Sequence, residues 1–433
     1  MKNKHTHIGL LAILLCALIS CQTATDIKKM SVEMKRQINE DTRLDSVKHQ
    51  AERLLQEGLN AGDNYNEIWI RDLNTFIELA CEVGEVAKVR NALLNFFRMQ
   101  GADGNIVDGY VPKESARIWY KYIYSDLAPD YAAHKNTVET DQESSLIQSI
   151  AKYIKYTGDE TILKDTIGGK TVEQRMEDAL SFLMQNRYNE QYGLLWGATT
   201  ADWGDVQPEH EWGVELDSTS HICIDIYDNA MFVIALNDYM SLTDGNKAQW
   251  TTTKERIVAN IRQHLWDEER QKFIPHLYID GSPFPADFDE NAIHYHGGTA
   301  VAIEAGILDC DEILTVYKQM QENVKQAGAQ SIGLTLWPVY PNGYFKNPWM
   351  TEHYYQNGGD WTWFGGRMVQ QLTANNFYDE AYEAISPMLD RVIVNNGFFE
   401  WYTPDGIPNS GNFKGSAGVL WKAINMFREQ AAI

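Results

Sequence analysis

The chain of 433 residues carries 60 acidic and 37 basic side chains, so its formal net charge is −23. Such a charge repels phosphate backbones and anionic membrane surfaces, which argues against nucleic acid as a partner and leaves neutral ligands such as sugars. The 5 cysteines are few and widely spaced, which excludes a small fold held together by disulfides, and the length suffices for a large apolar core.

Residues 1–20 have the pattern of an export signal. Lys2 and Lys4 precede an apolar stretch, 8–19, that is too short for a permanent membrane anchor. A Leu-Ile-Ser sequence before Cys21 resembles the bacterial lipobox, in which the cysteine is acylated. We therefore expect a lipoprotein signal peptide, attachment to the membrane only through a lipid on Cys21, and a place in the cell envelope of a Gram-negative bacterium, on the periplasmic side or at the outer-membrane surface. An ordinary signal peptide with an incidental Cys21 is the alternative.

The remaining chain, 21–433, is predicted to be a single all-α domain. Stretches with helical patterning recur in pairs, and they end at Gly, Asn or Asp residues that commonly stop helices. The predicted pairs are 66–83 with 86–99, 140–157 with 171–187, 222–242 with 247–266, 296–307 with 311–327, and 359–374 with 378–394. A last helix at 415–430 would pair with the N-terminal helical stretch 26–59. This gives about twelve helices in six hairpins, with one possible short β-hairpin at 271–286.

The loops before the first helix of each pair are rich in Trp, Tyr, Asp, Glu and Gly. If the first helices form an inner ring, these loops converge on one mouth. Aromatic rings that stack on sugars, together with carboxylates that bind hydroxyls, are typical of a carbohydrate site, although aromatics in helical proteins are more often part of the core.

The first of these loops contains Trp69, Arg71 and Asp72. Arg71 and Asp72 could form a buried ion pair, or a forked donor and acceptor for two neighbouring sugar hydroxyls. The stretch resembles the Trp-x-Arg-Asp element of glucoamylases, neutral invertases and related six-hairpin glycosidases. That resemblance implies that Arg71 and Asp72 bind the sugar at the non-reducing end, and we expect Trp69 to bind substrate beside them.

A second loop crowds acidic residues around Trp203. Asp202 and Asp205 flank this tryptophan, and glycosidic hydrolysis needs a carboxylic acid whose pKa is raised by apolar or acidic neighbours. The segment is similar to the Asp-Trp-x-Asp element of cellobiose-phosphorylase relatives, and it occupies the chain position of the acid-bearing loop of glucoamylases and trehalases. We expect Asp202 to be the general acid, with Asp205 next and Trp203 in contact with sugar. A solvated acidic loop or a calcium-binding turn is the alternative.

A third segment places Glu400 and Trp401 among further aromatic residues. It looks like the aromatic-Glu-x-Tyr segment of glucoamylases, trehalases and neutral invertases, whose glutamate is the general base. By that resemblance Glu400 activates water and Trp401 binds substrate; otherwise Glu400 pairs locally. The chain departs from the family at Lys414-Gly415, where many members carry a tryptophan.

A fourth segment resembles the Asn-Gly-Gly-x-Trp loop of neutral invertases and disaccharide phosphorylases. Asn357, Asp360 and Trp361 are therefore expected to bind sugar, and Glu352 is a further candidate for the base. His294 and His296 lie two residues apart but have no third ligand of convincing spacing, so we predict neither a metal nor another cofactor.

Together these short elements occur in the order found in the six-hairpin glycosidase superfamily, across residues 65 to 421, a span that covers most of the mature chain. The resemblance implies an (α/α)6 toroid and an inverting glycoside hydrolase, exo-acting on an α-linked glucoside. Three alternatives remain open: a disaccharide phosphorylase, a sugar epimerase or polysaccharide lyase on the same toroid, and a non-catalytic glycan-binding lipoprotein.

Overall fold

Long helices make up most of the computed structural model, which describes residues 29–117 and 121–433. The predicted signal peptide and Cys21 lie outside these residues. The described helices are α1 (Val32–Glu40), α2 (Thr42–Leu55), α3 (Ile70–Val83), α4 (Val86–Arg98), α5 (Gln142–Thr157), α6 (Val172–Asn186), α7 (Ile226–Leu242), α8 (Lys247–His264), α9 (His296–Glu304), α10 (Cys310–Ala327), α11 (Thr362–Ala374), α12 (Tyr378–Val394) and α13 (Lys414–Ala432).

The helix ends follow from local sequence. Thr171 and Asp309 start α6 and α10 with capping boxes, in which side chain and backbone satisfy each other's free hydrogen-bonding groups. Gly158 and Gly328 end α5 and α10 in the left-handed conformation, which glycine adopts without steric penalty. The predicted turns therefore lie where the sequence places them.

The helices form two concentric layers. In the inner layer, α3, α5, α7, α9 and α11 each contact the next, and α13 contacts both α11 and α3, so the ring is closed. The outer helices α4, α6, α8, α10 and α12 pack on their inner partners, and α2 packs on α13. The sequence prediction of an all-α toroid of six hairpins is thus confirmed.

Glycines allow two inner helices to approach their neighbours closely. A Cβ atom added to Gly418 on α13 would lie 2.5 Å from Cα of Phe76 on α3. One added to Gly366 on α11 would lie 2.6 Å from Cγ2 of Val419 on α13. Small residues at these positions therefore set the distance between the helices where the ring closes.

Short strands connect the helices, where the sequence predicted almost no sheet. Those in the described residues are β1 (Ile68–Trp69), β2 (Gly109–Pro112), β3 (Tyr131–His134), β4 (Thr166–Ile167), β5 (Lys170–Thr171), β6 (Tyr188–Asn189), β7 (Leu194–Leu195), β8 (Gly197–Ala198), β9 (Ile222–Ile224), β10 (Trp266–Asp267), β11 (Lys272–Phe273), β12 (Leu277–Tyr278), β13 (His294–Tyr295), β14 (Leu336–Trp337), β15 (Phe399–Tyr402) and β16 (Pro408–Gly411).

Two predicted helix starts change because of these strands. Helix α3 begins at Ile70 rather than at residue 66, since β1 pairs with β2 just before it. Helix α7 begins at Ile226 rather than at residue 222, since residues 222–224 form β9. The hairpin expected at 271–286 is wrong: β11 pairs with β10 and β12 pairs with β9, so the two strands lie in different sheets. Within the described ranges, no helix has the length and apolar character needed to cross a membrane.

Candidate active site

One end of the ring contains a cavity of about 70 Å³. Its walls come from the segments that precede α3, α7, α11 and α13, so the convergence of these loops on one mouth, expected from the sequence, is observed for four of them. The lining residues are Tyr65, Trp69, Arg71, Asp72, Trp203, Asp205, Tyr355, Gln356, Trp361, Trp363, Glu400 and Phe413.

Glu400 lies on β15, which pairs with β16 beside the cavity. The Tyr65 hydroxyl donates a hydrogen bond to Glu400 Oε1 at 2.8 Å, whereas the buried Oε2 has no hydrogen-bond partner among the described residues. Burial raises the pKa of Glu400 to about 7, against the opposing effect of the nearby Ser410 and Tyr65 hydroxyls. Near neutral pH the carboxyl group can therefore exchange a proton with a molecule in the cavity.

Asp205 supplies a second carboxyl group to the same cavity, from the loop between β8 and β9. Gln356 Nε2 donates to its Oδ1 at 2.9 Å, and Arg71 Nη2 lies 3.7 Å from its Oδ2. Its side chain is 26% exposed, so it is oriented by neighbours yet open to a ligand. Two carboxyl groups from distant parts of the chain therefore share one cavity.

Asp202, in contrast, is not among the residues that line the cavity. Its Oδ2 accepts a hydrogen bond from Gly297 N at 2.6 Å and its Oδ1 accepts one from Gly298 N at 2.8 Å. Burial raises its pKa well above the ordinary value, although these two backbone donors oppose the shift. Both oxygens are thus engaged with free N–H groups in the first turn of α9, which is a structural role.

Arg71 and Asp72 begin α3 at the cavity wall. Arg71 is buried and forms a close ion pair with Glu139, and its Nη1 lies 3.9 Å from Asp141 Oδ2. Burial raises the pKa of Asp72 to about 7, although the positive charge of Arg71 opposes the shift. Arg71 is therefore in a buried ion pair, as the sequence suggested, but its partner is Glu139. Both Arg71 and Asp72 still line the cavity.

Aromatic rings form much of the remaining wall. Trp69, Trp203 and Trp361 all line the cavity, and the Trp203 ring packs edge-on against Trp361 at a centroid distance of 4.6 Å. Trp361 Nε1 donates to the Tyr355 carbonyl at 3.0 Å. Trp401 is buried against Tyr354 and is not a lining residue. Three of the four expected tryptophans therefore reach the cavity.

Three other expected residues stabilise the loop before α11 instead of lining the cavity. Glu352 is exposed and accepts from the backbone of Asn342 at 3.2 Å. Asn357 Oδ1 accepts a hydrogen bond from Tyr340 N, and Asn357 Nδ2 donates one to the Tyr340 carbonyl, each at 2.9 Å. Asp360 is buried and binds Arg391 Nη1 at 2.9 Å as well as Ser331.

The histidine pair lies elsewhere. Burial lowers the pKa of His294 to about 4 and that of His296 to about 3, and His296 Nε2 is 3.0 Å from the Asn323 amide. Neither histidine lines the cavity that holds Glu400. In the part of the chain that the structure describes, no group of three or more His, Cys, Asp or Glu residues has an arrangement that could hold a metal ion.

Sequence analysis did not single out five of the lining residues: Tyr65, Tyr355, Gln356, Trp363 and Phe413. All five lie within or close to the four segments that it did identify, and Tyr65 is four residues before Trp69. Their proximity to these segments was the available signal. The bonds from Tyr65 to Glu400 and from Gln356 to Asp205 join residues 335 and 151 positions apart, so they depend on long-range packing.

No protein-family profile matches the chain, and neither does any curated protein sequence. Solved structures do. The GH63 mannosylglycerate hydrolase from Thermus thermophilus in complex with glucose has a TM-score of 0.63 and 15% identity, over 88% of this chain and 99% of that one. The rhamnosidase from Klebsiella oxytoca with rhamnose bound has a TM-score of 0.58 and 14% identity, over 88% of this chain and 63% of that one. The GH78 rhamnosidase of Bacillus sp. GL1 has a TM-score of 0.59 and 14% identity, over 88% of this chain and 34% of that one. The chain therefore shares its (α/α)6 toroid fold with these structures.

Proposed function

We propose that the chain is an inverting glycoside hydrolase, with Asp205 as general acid and Glu400 as general base. The observation that carries the proposal is that these two carboxyl groups, from separate loops, line one cavity walled by tryptophans. Hydrolysis of a glycosidic bond requires such a pair, and inversion requires room for a water molecule beside the base.

In the proposed reaction, a water molecule beside Glu400 attacks the anomeric carbon while its proton passes to the Glu400 carboxylate. The bond to the leaving oxygen breaks, and Asp205 gives that oxygen a proton. Glu400 must be ionised when the cycle begins, and a pKa of about 7 allows this in neutral solution. The hydrogen bond from Tyr65 orients the carboxylate.

Asp205 takes the acid role in this proposal, and not Asp202, because of their surroundings. Asp202 accepts hydrogen bonds from two backbone N–H groups of α9 and is not one of the residues that line the cavity. Asp205 lines the cavity and is held by a single side-chain hydrogen bond from Gln356. A proton donor must reach the leaving oxygen, and the position of Asp205 in the cavity wall supports its assignment to this role.

The proposed substrate is an α-linked glucoside-type sugar that is cleaved at its non-reducing end. Arg71 and Asp72 offer a donor and an acceptor side by side, which suits two adjacent hydroxyls of one terminal ring. The similar structures are a mannosylglycerate hydrolase and rhamnosidases, so mannosides and rhamnosides are the nearest alternatives.

The test is product release from α-glucosides, α-mannosides, α-rhamnosides and sucrose-like disaccharides, with NMR of the first anomer formed. We expect hydrolysis of at least one substrate, with inverted configuration and without added phosphate. Glu400→Gln should abolish turnover and retain sugar binding. Turnover that requires phosphate would indicate a phosphorylase, and binding without turnover across the panel would indicate a glycan-binding protein.

We also propose that the protein is a lipoprotein of the cell envelope, on the basis of the sequence around Cys21. Incorporation of labelled fatty acid into the wild-type chain, and its loss in Cys21→Ser, is the expected result. Labelling that persists in Cys21→Ser would contradict it.

A further inference from the structure

Two tryptophans form an exposed pair outside the cavity. The rings of Trp212 and Trp349 meet edge-on at a centroid distance of 5.8 Å, although 62% of Trp212 and 42% of Trp349 are exposed to solvent. Trp349 also contacts Tyr355, with ring centroids 5.6 Å apart, and Tyr355 lines the cavity. A continuous aromatic surface therefore runs from the cavity wall outward to Trp212.

The loops that carry this pair are the same loops that supply groups to the cavity. Trp212 follows Asp205 on one loop, and Trp349 precedes Gln356 on the other. The loops are joined by Gln356 Nε2 to Asp205 Oδ1 at 2.9 Å, and by Lys346 N to the Pro208 carbonyl at 3.0 Å. The Asn347 amide also donates to the Glu211 carbonyl at 2.5 Å. These bonds hold the tryptophan pair in a defined position relative to the proposed acid.

The position of the pair indicates which part of a substrate it would meet. A general acid lies beside the glycosidic oxygen, so the leaving group extends from the cavity on the Asp205 side. The tryptophan pair lies on the Asp205 loop and on the loop that Gln356 bonds to Asp205, so it is joined to that side of the cavity. Exposed, rigid aromatic faces suit the C–H face of a sugar ring, and the nearby exposed Glu211 and Glu215 can accept hydrogen bonds from its hydroxyls.

We propose that Trp212 and Trp349 form a binding platform for a sugar ring of the leaving group, so that the substrate is an oligosaccharide rather than a glycoside of a small alcohol or acid. This inference rests on the proposed function, because the leaving-group side is defined by Asp205 as the acid. In this proposal the exposed tryptophans select substrates whose leaving group is a sugar, whereas the cavity binds only the terminal sugar.

The experiment compares two substrates with the same terminal sugar: maltotriose and methyl α-glucoside, or the corresponding mannosides if the panel identifies these. The ratio of kcat/KM for the trisaccharide to that for the methyl glycoside is measured in wild type, Trp212→Ala and Trp349→Ala. We expect each substitution to lower this ratio about tenfold, mainly through KM, since an aromatic anchor is lost from one substrate only. Tyr156→Ala is the matched control, because Tyr156 is a partly exposed aromatic in the last turn of α5, at the opposite end of the ring.

A second measurement separates the two proposals. Calorimetry measures the binding of the trisaccharide to the Glu400→Gln variant and to the same variant that also carries Trp212→Ala. An unchanged ratio in both tryptophan variants, in an enzyme that does hydrolyse glycosides, overturns the platform and leaves the proposed function standing. Trisaccharide binding that depends on Trp212, in a wild-type protein that hydrolyses no glycoside of the panel, overturns the proposed function and with it the assignment of the pair to a leaving group.

Discussion

Asp202 and Asp205 differ in the sequence only by their place around Trp203, yet the structure gives them different surroundings. The sequence directed attention to this loop through its acids around Trp203, and the loop does contribute Trp203 and Asp205 to the cavity wall. It could not separate the two residues. The bonds that hold Asp202 come from Gly297 and Gly298, about 95 residues further along the chain. The hydrogen bond to Glu400 likewise comes from Tyr65, 335 positions away in the sequence.

Substitution of the two aspartates distinguishes their roles. Asp205→Asn should lower kcat by about 10²–10⁴-fold without a large change in stability, since it removes the proposed proton donor. Asp202→Asn should instead lower the free energy of unfolding, by about 1–2 kcal/mol, because it weakens an N-terminal cap of α9. Steady-state kinetics and urea unfolding of both variants measure this. The acid assignment moves to Asp202 if Asp205→Asn keeps near-full activity and Asp202→Asn does not.

Tyr65→Phe should shift the pH dependence of catalysis. The Tyr65 hydroxyl stabilises the ionised form of Glu400 and so lowers its pKa. A general base acts when deprotonated, so kcat/KM should rise with pH through about 7 in the wild type. Without the hydroxyl, this rise should move to higher pH. Tyr354→Phe, beside Trp401, is the control and should leave the profile in place. A shift to lower pH in Tyr65→Phe contradicts the assigned role of the hydrogen bond.

At the scale of elements, the helices could be predicted and the strands could not. Helix ends are encoded locally, as in the capping box at Thr171 and the left-handed Gly158, so the hairpins were visible in the sequence. Most of the strands are two residues long, which is too short to show alternation of apolar and polar side chains. Their pairing joins separate loops, as when β9 pairs with both β8 and β12.

Gly418→Ala tests the close packing of α13 on α3. The added methyl group would meet Phe76 Cα at 2.5 Å and the Thr75 carbonyl at 2.6 Å, and backbone atoms cannot turn away. We expect the free energy of unfolding to fall by about 1–3 kcal/mol in urea unfolding. Gly397→Ala is the control, since its nearest neighbour would be Phe399 at 3.9 Å, and it should change little. Equal stability of the two variants would show that the helices can separate without cost.

For the whole molecule, buried carboxyl groups make stability depend on pH. Burial raises the pKa values of Asp72, Asp108, Asp238 and Glu400 to about 7, whereas in the unfolded chain they titrate near 4. Between these values the unfolded chain binds fewer protons than the folded one, so stability falls as pH rises. The buried histidines have lowered pKa values and oppose this effect, but they are fewer than the raised carboxyl groups. The free energy of unfolding should therefore be lower at pH 8 than at pH 5.

Urea unfolding at the two pH values measures this difference. Asp238→Asn should make the difference smaller, because it removes one of these carboxyl groups at the end of the ring away from the Glu400 cavity. Stability that is equal at both pH values, or greater at pH 8, contradicts the expectation.

The packing of α2 on α13 has a consequence for folding. Lys48 Nζ bonds Asn425 Oδ1 at 2.9 Å across 377 positions of sequence, and Tyr65 bonds Glu400 across 335. Neighbouring hairpins can stack on one another in chain order, but the gap between the first and the last hairpin closes only when α13 packs on α2 and α3. The hydrogen bond between Tyr65 and Glu400 spans that gap, so it reports on the last step of ring closure.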